Sequence, residues 1–176
     1  MRICTELPNC WLRPWRIEDK PALLLHGNNR EVWRNLTDLF LHPYTEDDAD
    51  FWVRFANQNS PSIHFAIEFD GEAVGGIGAI AGEGIEILTA RFGYWIGEAH
   101  WGQGIATAAG RAMVAHVEST TKFARIEAAV YEWNPASIRI FEKLGFAREG
   151  VLRKSVYKDG QLTNSVMFSH IREAEK

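Results

Sequence analysis

The sequence predicts a mixed α/β fold, one sheet with helices packed on it rather than a doubly wound sheet. Three observations lead there. The elements run strand, helices, antiparallel strands, helix, strand, helix and strand pair. Two Asp-Gly pairs, Asp70-Gly71 and Asp159-Gly160, sit where tight turns would join antiparallel neighbours. The composition, 46% hydrophobic and 24% charged over 176 residues, is that of one globular domain, 1–176, large enough to bury a core.

Cys10 to Trp15 reads as a first short strand, stopped by Pro14 and by the helix entry at Ile17-Glu18-Asp19. Residues 18 to 58 read as helical in pieces, broken at Gly27-Asn28-Asn29 and at His42-Pro43. Thr45, with Asp47 and Asp48 behind it, suits the start of the helix carrying Phe51, Trp52 and Phe55. A Thr hydroxyl can accept first-turn N–H groups, and carboxylates favour the positive end of the helix dipole. From Ser62 to Phe69, Ile63, Phe65, Ile67 and Phe69 alternate with other residues, the pattern of a half-buried strand. Asp70-Gly71 turns the chain into a returning strand, Ala73 to Ile80. Thr89 to Ile96 and Arg125 to Tyr131 are further strands, separated by a helix. The closing hairpin is Val151 to Lys158 and Ser165 to Ile171 around Asp159-Gly160.

Lys and Arg number 19 against 23 Asp and Glu, a formal net charge of −4. A mildly acidic chain has no bulk attraction for phosphate backbones or anionic lipid, so neither nucleic acid nor membrane is an expected partner. Its apolar runs fall well short of the ~18 residues that span a bilayer. Met1-Arg2-Ile3-Cys4 lacks the apolar core of a secretory signal. The two cysteines, Cys4 and Cys10, make neither a disulfide framework nor a zinc pattern. The expectation is a cytoplasmic protein with reduced thiols and no metal.

The most informative segment runs from Tyr94-Trp95-Ile96-Gly97-Glu98 through Trp101-Gly102-Gln103-Gly104-Ile105-Ala106-Thr107. A strand enters a short loop, and two glycines flank Gln103 where a helix begins. Ile105, Ala108, Ala109, Ala112, Met113, His116 and Val117 form one apolar stripe along that helix. With the stripe on the sheet, the first turn stays at the sheet's edge with free N–H groups pointing outward. Glycines permit positive φ and close backbone approach, so the segment makes a cradle for phosphate or pyrophosphate. No third glycine follows as in a dinucleotide fingerprint, and no Gly-Lys-Ser/Thr as in a triphosphate loop. The second segment is Asn134-Pro135-Ala136-Ser137-Ile138-Arg139-Ile140-Phe141-Glu142-Lys143-Leu144-Gly145-Phe146. Asn134 is a strong N-cap, Pro135 fits the first helical position, Ser137 falls at the third, and Gly145 supplies a left-handed exit.

Taken together and in this order, the two segments resemble the GNAT N-acetyltransferase superfamily, in particular the branch of ribosomal-protein N-terminal acetyltransferases. Trp101-Gly102-Gln103-Gly104-Ile105-Ala106 is similar to the family's acetyl-CoA loop, with Trp101 where Arg or Gln is usual. Asn134-Pro135-Ala136-Ser137 to Phe146 is similar to its second helix, and Tyr94-Trp95-Ile96 to the strand before the loop. The resemblance covers about residues 10 to 171. It implies a mixed, mostly antiparallel sheet splayed at the acetyl-CoA site, and acetyl-CoA as co-substrate. It also implies that Trp95, Ile96 and Gly97 line pantetheine through their backbone, with an amide near Ile96 polarising the thioester carbonyl. Pyrophosphate would lie on Gly102, Gln103, Gly104, Ile105, Ala106 and Thr107 beside Trp101, with Asn134, Ser137 and Phe141 as further CoA contacts.

The implied reaction is direct attack of a neutral primary amine on the thioester. Candidate bases are Glu98 foremost, then His100, Glu86 and Glu127. Many relatives place a Tyr general acid where this chain has Phe141, which has no proton to give. Ser137 is the remaining hydroxyl, and in this branch it lies near the sulfur. Trp33, Leu36, Tyr44, Trp52, Phe55 and Tyr157 are candidate walls for the acceptor, with Asp38, Asp47 and Glu86 as ammonium partners. The acceptor is then a protein N-terminal amine or a small-molecule amine, and a homodimer is compatible with the sequence. The competing readings are an antibiotic or amino-acid acetyltransferase, and a non-catalytic acyl-CoA-binding or sensing module.

Overall fold

The computed structural model describes residues 1–58 and 63–173. Its strands are β1 (Ile3–Cys4), β2 (Cys10–Arg13), β3 (Ile63–Phe69), β4 (Glu72–Ala81), β5 (Thr89–Ile96), β6 (Arg125–Tyr131), β7 (Ala147–Lys158) and β8 (Gln161–Ile171). The helices are α1 (Lys20–Gly27), α2 (Arg30–Trp33), α3 (Glu46–Ala56), α4 (Ile105–Thr120) and α5 (Pro135–Lys143). The expected start of the third strand at Ser62 lies outside the described residues. Among the described residues no helix is long and apolar enough to cross a membrane.

The strands form one sheet in the order β1-β2-β3-β4-β5-β6-β8-β7. Every neighbouring pair is antiparallel except β5 with β6, which run parallel. The mixed, mostly antiparallel architecture is therefore the one expected. β1, a two-residue edge strand, has no sequence signature and forms by pairing with Trp11 and Leu12. The closing hairpin is longer than expected on both sides. β7 is irregular between Arg148 and Gly150 and between Leu152 and Val156, and Lys154 has φ +53°. Such bulges interrupt the alternation on which strand recognition depends.

Two apolar layers sandwich the sheet. On one face α4 sets Ile105, Ala109, Met113 and Val117 against Leu12, Phe65, Ile67, Phe92 and Ile126, with Phe141 of α5 alongside. On the other, α1 and α3 set Leu23, Ala49 and Val53 against Trp15, Ala66 and Trp95. β3 is thereby covered on both sides: His64, Ala66 and Glu68 are buried as well as Phe65 and Ile67. The expectation of a half-buried strand thus fails, because the polar members of the alternation found cover of their own. Arg13, 2% exposed, holds Asp19 through two hydrogen bonds of 2.7 and 2.8 Å and also pairs with Glu68, fastening the entry to α1 onto the sheet. Burial would raise the Glu68 carboxyl, but hydrogen bonding and charge from Arg13, joined by Arg2, bring it below the usual carboxylate range.

The caps read from sequence are formed. Thr45 Oγ1 accepts from the Asp48 N–H at 3.3 Å while Asp48 accepts from the Thr45 N–H at 2.8 Å, a reciprocal box that starts α3. Asn134 Oδ1 accepts from the Ser137 N–H at 3.1 Å, which sets the first turn of α5.

Candidate active site

The site begins where the sheet comes apart. β5 pairs with β6 only through Thr89, Ala90 and Arg91, opposite Arg125, Ile126 and Glu127. Past Arg91 the two parallel strands separate, while β5 stays paired with β4 as far as Ile96. The Gly97 N–H donates to the Val74 carbonyl at 2.8 Å and the Gly82 N–H to the Thr89 carbonyl at 2.8 Å. In an antiparallel ladder bonded positions alternate, so Trp95 and Gly93 bond toward β4 and the backbone of Phe92, Tyr94 and Ile96 turns toward the gap.

Two helix N-termini stand at the carboxyl ends of β5 and β6, one on each side of the gap. α4 starts behind Gly102 and Gly104, whose φ values are +75° and +80° and where an added Cβ would meet nothing within 4 Å among the described residues. Gly104 is the N-cap, with no side chain capping the first turn. The N–H groups of Ile105, Ala106 and Thr107 thus lack intrahelical partners. Open backbone, positive φ and uncapped donors together suit a pyrophosphate, so the residues present fit the CoA part of the co-substrate. α5 starts at Pro135 on the β6 side and brings Ser137 to the gap.

Across the gap, the Tyr94 hydroxyl donates to Ser137 Oγ at 3.0 Å. Burial pushes the Tyr94 phenol up to about 12, so it stays protonated. Nothing in the sequence singled out Tyr94 as a functional side chain. Its only signal was its place in Tyr94-Trp95-Ile96, the strand before the loop, and its link to Ser137 depends on tertiary structure.

The other expected residues distribute as follows. The Trp95 side chain lies on the far face, stacked on Trp15 at 6.5 Å, so this residue is core there and its backbone is bonded toward β4. The Gly97 N–H is taken by Val74, which leaves Ile96 as the one of the three whose N–H faces the gap. Trp101 donates its indole N–H to the Ile96 carbonyl at 2.7 Å, tying the loop back to the strand end. Gln103 donates to the Ala99 carbonyl at 3.2 Å, bracing the same loop. Phe141, 3% exposed, stacks on Phe168 at 5.5 Å and meets Phe146, Phe92 and Tyr94 at 5.2, 5.9 and 6.0 Å. It sits behind Tyr94 as packed core.

The three carboxylates among the candidate bases each hold a polar partner. Glu98 accepts from Asn29 Nδ2 at 2.8 Å, while Asn29 caps α2 through its Oδ1. Glu127 pairs with Arg125 at 2.9 Å and Glu86 with Arg91 at 3.5 Å. His100 packs edge-on against His26 at 5.1 Å. His26, Glu72 and His100 bring one ligating atom each within 4.8 Å of one another, among the described residues. There His26 Nε2 and Glu72 Oε1 already share a 2.9 Å hydrogen bond, and the His26 ring packs over Gly97.

The acceptor walls divide. The segment after α2 closes over the end of β6: the Tyr131 hydroxyl donates to the Leu36 carbonyl at 3.3 Å and the Trp133 indole to Asn35 Oδ1 at 3.1 Å. Leu36, held at the end of β6 by its carbonyl, packs with Tyr44 and Trp52 on the α1–α3 layer, Phe55 packs on Trp52 and His64, and Trp33 stacks on His42. Tyr157 is exposed. Asp38 is bound by Lys158 Nζ at 2.6 Å, over the Trp33 ring at 3.7 Å. Asp159 accepts from Arg30 at 2.8 Å. The β7–β8 turn thus straps α2 from outside, a role that the Lys-Asp-Gly turn signal alone did not convey.

Residues 9–147 match the acetyltransferase (GNAT) domain. The chain belongs to the GNAT acetyltransferase family. It is 44% identical to the probable N-acetyltransferase YjcK of Bacillus subtilis over 74 residues, 42% of this chain and 41% of that protein. It is 30% identical to the ribosomal-protein-serine acetyltransferase of Escherichia coli over 101 residues, 56% of each. Spermidine N(1)-acetyltransferase of Escherichia coli is 27% identical over 93% of this chain and 88% of its own length. The chain thus spans about half the length of several curated relatives that it matches. Among solved structures, RimL, a ribosomal L7/L12 α-N-protein acetyltransferase in complex with coenzyme A, superimposes with a TM-score of 0.85 at 22% identity, covering 97% of this chain and 98% of that one. A Salmonella typhimurium acetyltransferase that modifies the N-terminal serine of L7/L12 gives 0.79 at 23% identity, covering 95% and 97%. At these identities the likeness is one of fold.

Proposed function

We propose that this protein transfers the acetyl group of acetyl-CoA to a primary amine by direct attack, and that it prefers an N-terminal α-amine to a lysine side chain. The observation that carries the reading is the separation of β5 from β6 after Arg91. It leaves strand backbone facing a gap flanked by two helix N-termini and a pair of hydroxyls. In this reading pantetheine lies along Tyr94 and Ile96, and pyrophosphate meets the N–H groups of Ile105, Ala106 and Thr107. The Ile96 N–H polarises the thioester carbonyl, and a pre-placed donor of that kind contributes ~3 kcal/mol to the barrier reduction. The amine nitrogen attacks the carbonyl carbon and the C–S bond breaks with its electron pair going to sulfur. The surplus proton on nitrogen leaves through water. The Ser137 hydroxyl donates a hydrogen bond to the departing sulfur.

The acceptor preference follows from the engaged carboxylates. With Glu98, Glu127 and Glu86 all paired, the fraction of amine already neutral enters the rate directly. At pH 7 that fraction is more than two orders of magnitude larger for a pKa of about 8 than for about 10.4. Because the Salmonella typhimurium relative modifies an N-terminal serine, the test uses a peptide that begins with Ser and has its lysine blocked. It is compared with the reverse peptide and with spermidine by CoA thiol release. The Ser peptide should be fastest, with kcat/KM rising with pH and flattening near its amine pKa. Faster lysine or spermidine turnover overturns the acceptor, and thiol release with none of the three points to the non-catalytic module.

A further inference from the structure

We infer that Tyr94 is a positioning residue: it commits its own hydrogen to Ser137 Oγ and so leaves the serine hydrogen free for the CoA sulfur. The inference rests on the reading above that Ser137 stands beside that sulfur. Its basis is the 3.0 Å contact between the two hydroxyls across the separated strands.

A serine hydroxyl has one hydrogen to give and two lone pairs to receive with. If Ser137 donated to Tyr94, only lone pairs would face the gap, and they would repel a sulfur gaining negative charge. If Tyr94 donates, the single serine hydrogen has one remaining use, and a thiolate is an acceptor for it. The phenol is the more acidic of the two hydroxyls and hence the better donor. Its surroundings keep it so: the Phe141 ring lies 6.0 Å away, and burial holds the phenol un-ionised at working pH. The Asn134 Oδ1 bond to the Ser137 N–H at 3.1 Å fixes the first turn of α5, and with it the Cα from which the serine hydroxyl reaches Tyr94. Tyr94 keeps its proton throughout. Its effect is to choose which way the serine points, before the bond breaks rather than during it.

The test needs no acceptor amine, which separates it from the acceptor reading. The thiol pKa of CoA bound to the protein is measured from its ultraviolet thiolate absorption, with the ligand-free protein subtracted. Wild type, Tyr94→Phe, Ser137→Ala and the double variant are compared. Wild type should hold the bound thiol below its value in free CoA. Tyr94→Phe should raise it by roughly half a unit to one unit, the size of one neutral hydrogen bond. Ser137→Ala should raise it at least as far, and adding Tyr94→Phe to it should change nothing more. Calorimetric CoA affinity should stay within about twofold for Tyr94→Phe, as expected when a side chain acts through Ser137 rather than on the ligand. Should Tyr94→Phe fold poorly, 3-fluorotyrosine at position 94, a stronger donor of the same shape, should lower the bound thiol pKa further. A wild-type value in Tyr94→Phe beside a raised one in Ser137→Ala overturns the proposal. So does an equal Tyr94→Phe shift with and without Ser137. A thiol pKa equal to that of free CoA in all four proteins removes the role of Ser137 along with that of Tyr94.

Discussion

Replacing Gly104 with valine separates the cost of a left-handed backbone from the cost of losing an anion cradle. Gly104 has φ +80°, and an added Cβ would meet nothing within 4 Å among the described residues, so no steric clash with them contributes. The folding penalty is then the backbone term alone, about 1–2 kcal/mol for a residue with a Cβ and more for a branched one. In the proposed reading the pyrophosphate approaches the uncapped N–H groups of α4 through the space outside Gly104. Valine methyls placed there would cost at least one hydrogen bond to a charged group, about 1.5–3 kcal/mol. CoA affinity should therefore fall more than tenfold, since ~1.4 kcal/mol corresponds to tenfold. Gly71 is the matched control: φ is +89°, nothing lies within 4 Å, and it occupies the β3–β4 turn. Gly71→Val should lose similar stability in urea and keep wild-type CoA affinity by calorimetry. Unchanged CoA affinity in folded Gly104→Val, or an equal loss in Gly71→Val, refutes the reasoning.

Three further outcomes are expected. Phe141→Ala removes a ring enclosed by four aromatic neighbours and should cost about 3–5 kcal/mol in urea denaturation; a loss below ~1 kcal/mol would mean that the ring borders the gap instead. Lys158→Met keeps the stem over Trp33 but releases Asp38, so the segment after α2 should loosen. KM for the amine should then rise severalfold with KM for acetyl-CoA unchanged, and the reverse pattern would separate the β7–β8 strap from the acceptor side. His64 is buried, its Nε2 has no partner among the described residues, and burial lowers its pKa. The unfolded chain thus binds a proton below pH ~6.5 that the folded chain refuses, and stability present above that pH should fall as pH drops below it. His64→Gln should flatten that part of the urea-midpoint profile; an unchanged slope would assign it to other groups, such as His116, whose pKa burial also lowers.

The sequence by itself determined what is local. Thr45 and Asn134 cap their helices, Asp70-Gly71 and Asp159-Gly160 turn their hairpins, and Gly104 opens α4, because each device works within a few residues and has a preferred residue type. The apolar stripe of α4 likewise named the face that the sheet covers. Tertiary structure decided what depends on register and on partners distant in the chain. No residue between Phe92 and Ile96 says that β5 and β6 part after Arg91 and Glu127, since that register joins strands distant in the chain. The Tyr94–Ser137 contact joins positions 43 residues apart. Lys158–Asp38 and Arg30–Asp159 join positions 120 and 129 apart, turning an ordinary hairpin turn into the strap on α2. Glu98, a candidate base from its place in the loop, also accepts from Asn29, the cap of α2, 69 positions away. A side chain's type and neighbours in sequence set what chemistry it can offer, but only the packed sheet and helices set which atom it offers that chemistry to.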